Sequence, residues 1–186
     1  MNDVMRWATQ VAAAELADAL PRRWAHCRGV ASRATEIRRI VGEDADLLVA
    51  AAILHDVGYA PRLAFTGFHP LDGARFLRDD HRADTRLTRL VAHHSFALLE
   101  AQERGLRDDL VTEFPLPEGP LMADALVYCD MTTTPDGGRT TAEERVAEIL
   151  GRYGDDSVVG RFIRRAAPEV FSSVERIESA LAAQPR

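Results

Sequence analysis

Apolar residues recur at three- and four-residue intervals along most of the chain, and alternating stretches are very few, so the pattern predicts an all-α protein. A first helix is expected over about residues 4–19. Pro21 suits the first turn of a second helix, which runs to the Val41-Gly42 stop. A third, over about residues 44–57, places acids at its positive end and halts at Gly58. After a loop over residues 59–68, Pro70 opens a fourth helix through about Arg78, and a fifth covers about residues 84–94, continuing or bending at Ser95 into Leu98-Leu99. Pro115, Pro117 and Pro120 precede a sixth over about residues 121–131, and Thr132 to Gly138 reads as a loop. Thr141-Ala-Glu-Glu144 has the form of a capping box, and about residues 155–183 make one or two amphipathic helices that Pro168 can break or restart. No repeat or low-complexity linker divides the chain, so residues 1–186 are expected to form one helical bundle of about seven to nine helices.

Within this apolar framework the histidines and aspartates stand out. Leu48, Ala51 and His55 share one stripe of the third helix, and Val49, Ala52 and Asp56 the neighbouring one. Ala123, Leu126, Val127 and Asp130 share a face of the sixth. Leu87, Val91, His94 and Leu98 line up on the fifth with His93 at the flank, His26 sits beside Val30 and Ile37 on the second, and His69 opens the fourth. A single histidine on an apolar face is ordinarily a hydrogen-bonded core residue. Ligand-type residues pointing inward from several helices at once are another matter, because a lone buried carboxylate costs several kcal/mol unless paired or metal-bound. Imidazole plus carboxylate is a donor mix suited to zinc, iron or manganese.

Composition narrows the chemistry. The 186 residues carry a formal charge of −6, and all 23 basic residues are arginine, which excludes a Schiff-base or phosphate-loop lysine. An acidic balance leaves no evident nucleic-acid surface. Cys27 and Cys129 lie far apart with no CxxC, so they read as small buried hydrophobes in a reducing cytoplasm, the expected location. Neither a secretory signal nor a membrane span is expected. Of the six histidines, only His81, in an apparent surface turn, is without a proposed role.

The order His26, His55-Asp56, Asp130 resembles the HD superfamily of metal-dependent phosphohydrolases over about residues 20–155, with Leu54-His55-Asp56-Val57-Gly58 its most specific segment. The resemblance implies that His26, His55, Asp56 and Asp130 hold one metal. His69 and the His93-His94 pair match the additional histidines of two-metal subgroups, in which Asp56 would bridge the ions and be catalytic. His94 is favoured as the further ligand, with His93 as a second ligand or a catalytic proton donor. Two divalent ions are therefore expected, iron or manganese first, with zinc, nickel, cobalt and magnesium also fitting.

The chain departs from the family too. Two-metal members often carry HDxGK, and Tyr59 stands where the lysine would fall, so its contact to substrate or a bridging oxygen is missing unless Arg62 or Tyr59 substitutes. The GYP extension of cyclic-di-GMP phosphodiesterases and the acidic continuation of alarmone hydrolases are absent. Hydrolysis of a small phosphorylated substrate is the leading expectation, with Arg62 and Arg75 as phosphate contacts, Arg145 a weaker candidate, and Tyr59 and Ser95 also facing substrate. His94-Ser95-Phe96 resembles a ligand segment of myo-inositol oxygenase, which makes a mixed-valent di-iron oxygenase the alternative. A non-catalytic HD binding module is a third possibility, and a homo-oligomer is compatible with all three.

Overall fold

The computed structural model describes residues 3–183. The α-helices are α1 Asp3–Leu16, α2 Pro21–Glu36, α3 Arg38–Val41, α4 Ala45–Leu54, α5 His69–Asp79, α6 Thr85–His93, α7 Ala97–Arg104, α8 Arg107–Glu113, α9 Pro120–Met131, α10 Ala142–Tyr153 and α11 Val158–Ala183. Among the described residues nine helices have eight residues or more and no strand is formed, beyond an isolated bridge between Thr133 and Arg139. The all-α expectation holds.

Two helices occupy the centre. The sequence of α4, Ala-Asp-Leu-Leu-Val-Ala-Ala-Ala-Ile-Leu, is buried continuously from Ala50 to Leu54. Its short alanine side chains let α1, α2 and α9 come close. The whole run Asp124–Met131 of α9 is likewise buried, so α9 is enclosed around its circumference where the sequence pattern implied a single inward face. The amphipathic α11 packs along α9 and α10 and covers them from solvent. No helix is long and apolar enough to cross a membrane among the described residues.

Several boundaries differ from those expected. The second helix breaks at Ile37 (φ −96°, ψ 6°) before resuming as α3. The third ends at Leu54, three residues early, and passes into a 3-10 turn over Val57–Tyr59. Between His94 and the prolines the chain forms α7 and α8, after a sharp turn in which Ser95 and Phe96 take left-handed φ of 48° and 62°. Pro168 neither breaks nor restarts α11, because it and Arg164, whose carbonyl loses its partner there, both lie on the exposed side where water can bond. The capping box forms as expected, Thr141 accepting from the Glu144 amide and Glu144 accepting from the Thr141 amide.

Candidate metal centre

Five helices deliver side chains to one point. His26 comes from the middle of α2, His55 and Asp56 from the end of α4, His69 from the first residue of α5, His94 from the turn after α6, and Asp130 from the last turn of α9. His26, His55, Asp56, His94 and Asp130 are all under 10% exposed.

Close backbone approaches hold these elements in place. Gly58 lies so near α5 that an added Cβ would meet the His69 carbonyl oxygen at 2.1 Å and the Gly73 nitrogen at 2.5 Å. Gly29 and Gly137 meet in the same way, and a Cβ on Gly29 would sit 2.5 Å from the Gly137 carbonyl oxygen. That contact seats the loop after α9 on α2, where the Thr134 carbonyl reaches His26 Nδ1 at 2.9 Å.

Three histidines are oriented by the same device. His26 Nδ1 faces the Thr134 carbonyl, His55 Nδ1 the Ala52 carbonyl at 2.8 Å, and His94 Nδ1 the Val91 carbonyl at 2.7 Å. A carbonyl only accepts, so each Nδ1 carries a proton and each ring turns its Nε2 inward. These nitrogens converge on carboxylates. His26 Nε2 lies 3.1 Å from Asp130 Oδ1, and His55 Nε2 is buried with no hydrogen-bond partner among the described residues, 3.4 Å from Asp56 Oδ2. On the other side of the same carboxylate, His69 Nε2 is 3.2 Å and His94 Nε2 3.8 Å from Asp56 Oδ1, and the two nitrogens are 3.1 Å apart.

Potential ligand atoms of His26, His55 and Asp56 lie within 4.8 Å of one another, as do those of Asp56, His69 and His94. Asp56 thus belongs to both groups, one oxygen to each. A convergence of lone pairs and carboxylates, with an orphaned nitrogen at its centre, fits a divalent cation better than an empty core. Carbonyl acceptors behind the histidines are the usual support for metal-ligating imidazoles.

Ionisation follows from the same contacts. Burial works to raise the Asp56 pKa, but the Arg23 guanidinium and His55 outweigh it and hold the carboxyl well below its usual range. At Asp130 burial is overcome by His26 and His55, again leaving a carboxylate. Burial and the neighbouring His55 and His69 push His94 down to about 4, which keeps it neutral. His69 is also lowered, by burial. His55 moves upward, since the adjacent Asp56 overcomes its burial.

The six remaining expected residues are placed differently from one another. His93 is turned away: its Nε2 lies 2.6 Å from the Phe114 carbonyl, and it lines a separate apolar cavity with Leu116 and Pro117. One residue's rotation about the helix axis separates it from His94, so the roles expected for His93 as ligand or proton donor are corrected. Arg62 and Arg75 are also corrected. Arg62 is held on the surface by both oxygens of Glu15 in α1, and Arg75 by Glu113 in α8, and neither lines the cavity over the metal cluster. Arg145 does line it, nine-tenths buried, as do Tyr59 and Ser95. Tyr59 stacks on the His69 ring with centroids 3.9 Å apart, and Ser95 donates a short hydrogen bond to Asp130.

Sequence reasoning missed Arg23. It donates to Asp56 Oδ2 at 2.5 Å, and its guanidinium lies 4.1 Å from the centre of the Tyr59 ring. A cation therefore stands over position 59 after all, supplied from α2 and stacked on the tyrosine. Its signal was its place three residues before His26, one turn away on the same face. Arg152 and the apolar wall of Phe162 and Ile163 also line the cavity and were missed, because they belong to helices whose packing the local pattern does not fix. Cys27 and Cys129 are buried and free, with burial raising both thiols.

Comparison with known families gives a match to the HD domain over residues 23–130. No curated protein and no solved structure matches the chain. The matched span exceeds half of the 186 residues and encloses His26, the His55-Asp56 doublet, His69, His94 and Asp130. On that match and on the clustered histidines and carboxylates, the chain belongs to the HD domain family, typically metal-dependent hydrolytic enzymes that bind divalent ions.

Proposed function

We propose that the chain is a phosphohydrolase in which His26, His55, Asp56 and Asp130 hold one divalent ion, and Asp56, His69 and His94 a second. The observation that carries this reading is the two-sided environment of Asp56, with imidazole nitrogens converging on each of its oxygens. Iron or manganese heads the expected metals. When bound, such ions supply Lewis-acid charge and bring the pKa of water toward neutrality. The chain's own residues then divide the remaining work. Arg23 offers guanidinium N–H donors beside Asp56, where a phosphoryl oxygen would need neutralising. Tyr59 holds that arginine and the His69 ring in place from one side. Burial together with the neighbouring Asp56 raises the Tyr59 pKa, so the phenol stays protonated and able to donate. Ser95 fixes the rotamer of Asp130.

The di-iron oxygenase alternative uses the same ligands. Arginines on the cavity wall favour phosphoester hydrolysis, since an anionic phosphate gains charge and bidentate geometry in hydrogen bonds that an uncharged substrate lacks. Metal analysis with an aryl phosphate assay tests the reading. Asp56→Ala is expected to lose both bound metal and turnover, and full retention of either refutes the assignment. A coupled mixed-valent iron signal with oxygen-dependent turnover would establish the oxygenase instead.

A further inference from the structure

Besides Arg23, the wall of the cavity carries two guanidinium groups that hydrogen-bond none of the proposed ligands. Arg145 and Arg152 project from α10, seven residues and therefore about 10 Å of helix apart, yet both reach one oxygen of Glu148. Arg145 Nη1 makes a short bond to Glu148 Oε2, and Arg152 Nη2 donates to the same atom at 2.8 Å. The two guanidinium groups are thus drawn together by one carboxylate. Both line the cavity, and Arg145, only 6% exposed, has a buried Nε–H with no acceptor among the described residues. A buried guanidinium with an unspent donor is costly unless an anion completes it.

The space is small. The inner cavity has a volume of about 80 Å³, whereas an adjoining groove along Leu20, Pro21 and Pro135 has about 370 Å³. Arg23, Tyr59 and Arg152 line both and form the neck between them. At roughly 15 Å³ per water, the inner space equals about five waters. That suits a phosphate-sized head, with the rest of the molecule left to the mainly apolar groove.

We propose that Arg145 and Arg152, tied by Glu148, receive the terminal dianionic phosphate of a phosphomonoester whose compact apolar body lies in the outer groove. The proposal rests on the phosphoester reading above and sharpens it to monoesters over diesters, because a diester offers one charge and needs room for a second substituent in the inner cavity.

Inorganic phosphate is titrated calorimetrically into the full chain at about pH 8, where it is mostly the dianion, first with EDTA and then with saturating Mn²⁺. Phosphate is expected to bind more tightly than dimethyl phosphate. Arg145→Gln and Arg152→Gln are each expected to weaken phosphate by about tenfold, in line with loss of a charge-assisted hydrogen bond. Circular dichroism and metal content are measured alongside. If Arg145→Gln fails to fold, Arg152→Gln carries the test, since its side chain is already 31% exposed. Absence of phosphate binding in both states, or affinity within twofold of wild type in the folded variants, overturns the proposal. Aryl phosphate hydrolysis separates the two readings. Turnover with arginine-independent phosphate binding overturns the clamp alone, and arginine-dependent binding without turnover in any loaded state overturns the hydrolase reading alone.

Discussion

Gly58→Ala tests the packing that joins the two halves of the metal cluster. The added Cβ would lie 2.1 Å from the His69 carbonyl oxygen and 2.5 Å from the Gly73 nitrogen, against a practical lower limit of 3.0 Å. Both obstacles are backbone atoms in the first turns of α5, so no rotamer change relieves them. Overpacking of this kind costs about 1–3 kcal/mol, and a backbone clash belongs at the upper end. For a chain of this size each kcal/mol moves the melting temperature by about 2–4 °C, which gives a fall of roughly 6–12 °C. To reach 3.0 Å from the carbonyl oxygen, α5 must retreat by 3.0 − 2.1 = 0.9 Å. His69 Nε2 now lies 3.2 Å from Asp56, and metal–ligand distances tolerate only about ±0.2 Å. The second ion should therefore be lost while the first remains, because α2, α4 and α9 hold its ligands. Thermal unfolding followed by circular dichroism reads the first effect, and metal content per chain the second. Gly151→Ala is the control: nothing lies within 4 Å of a Cβ there, so removing a helical glycine should stabilise by about 0.5–1 kcal/mol. A Gly58→Ala protein that melts within about 1 °C of wild type and keeps its full metal content would refute the reasoning.

Acid should weaken the metal-free fold through His94. Its pKa is held at about 4 by burial and its histidine neighbours, whereas the unfolded chain titrates it near ~6.5. Between those values the unfolded state binds more protons, so stability rises with pH from about 4 to about 6.5 and is lost as pH falls through that window. Urea midpoints in EDTA across this range should show a shallower slope in His94→Gln, by up to about 3 kcal/mol in total at ~1.36 kcal/mol per unit, and an unchanged slope would count against the buried neutral imidazole. Thr141→Ala removes the hydroxyl that accepts from the Glu144 amide at 3.2 Å. The variant should lose about 1 kcal/mol, a drop of about 2–4 °C in melting temperature, and no drop would mean the capping box contributes nothing to α10.

Much of the architecture was legible because it is written locally. Helical periodicity, the Pro21 and Pro120 starts and the Thr141 capping box act within a few residues, so α1, α2, α5, α9 and α10 lie close to where the pattern placed them. The inward aspect of His26, His55, His94 and Asp130 was equally readable, since their stripes point to the core, whereas His69 entered only through the family resemblance. Tertiary structure decided what those stripes meet. His93 and His94 are neighbours in sequence, yet one residue's rotation about the helix axis turns His94 to the cluster and His93 to the Phe114 carbonyl. Arg62 and Arg75 were the leading phosphate contacts from sequence, but Glu15 and Glu113 on distant helices claim them. The cations over the cavity are Arg145, the weaker candidate, with Arg23 and Arg152, brought there by the packing of α2 and α10. A helix's sequence fixes which of its faces is apolar, whereas the partner of each charge depends on long-range contacts that no local pattern encodes.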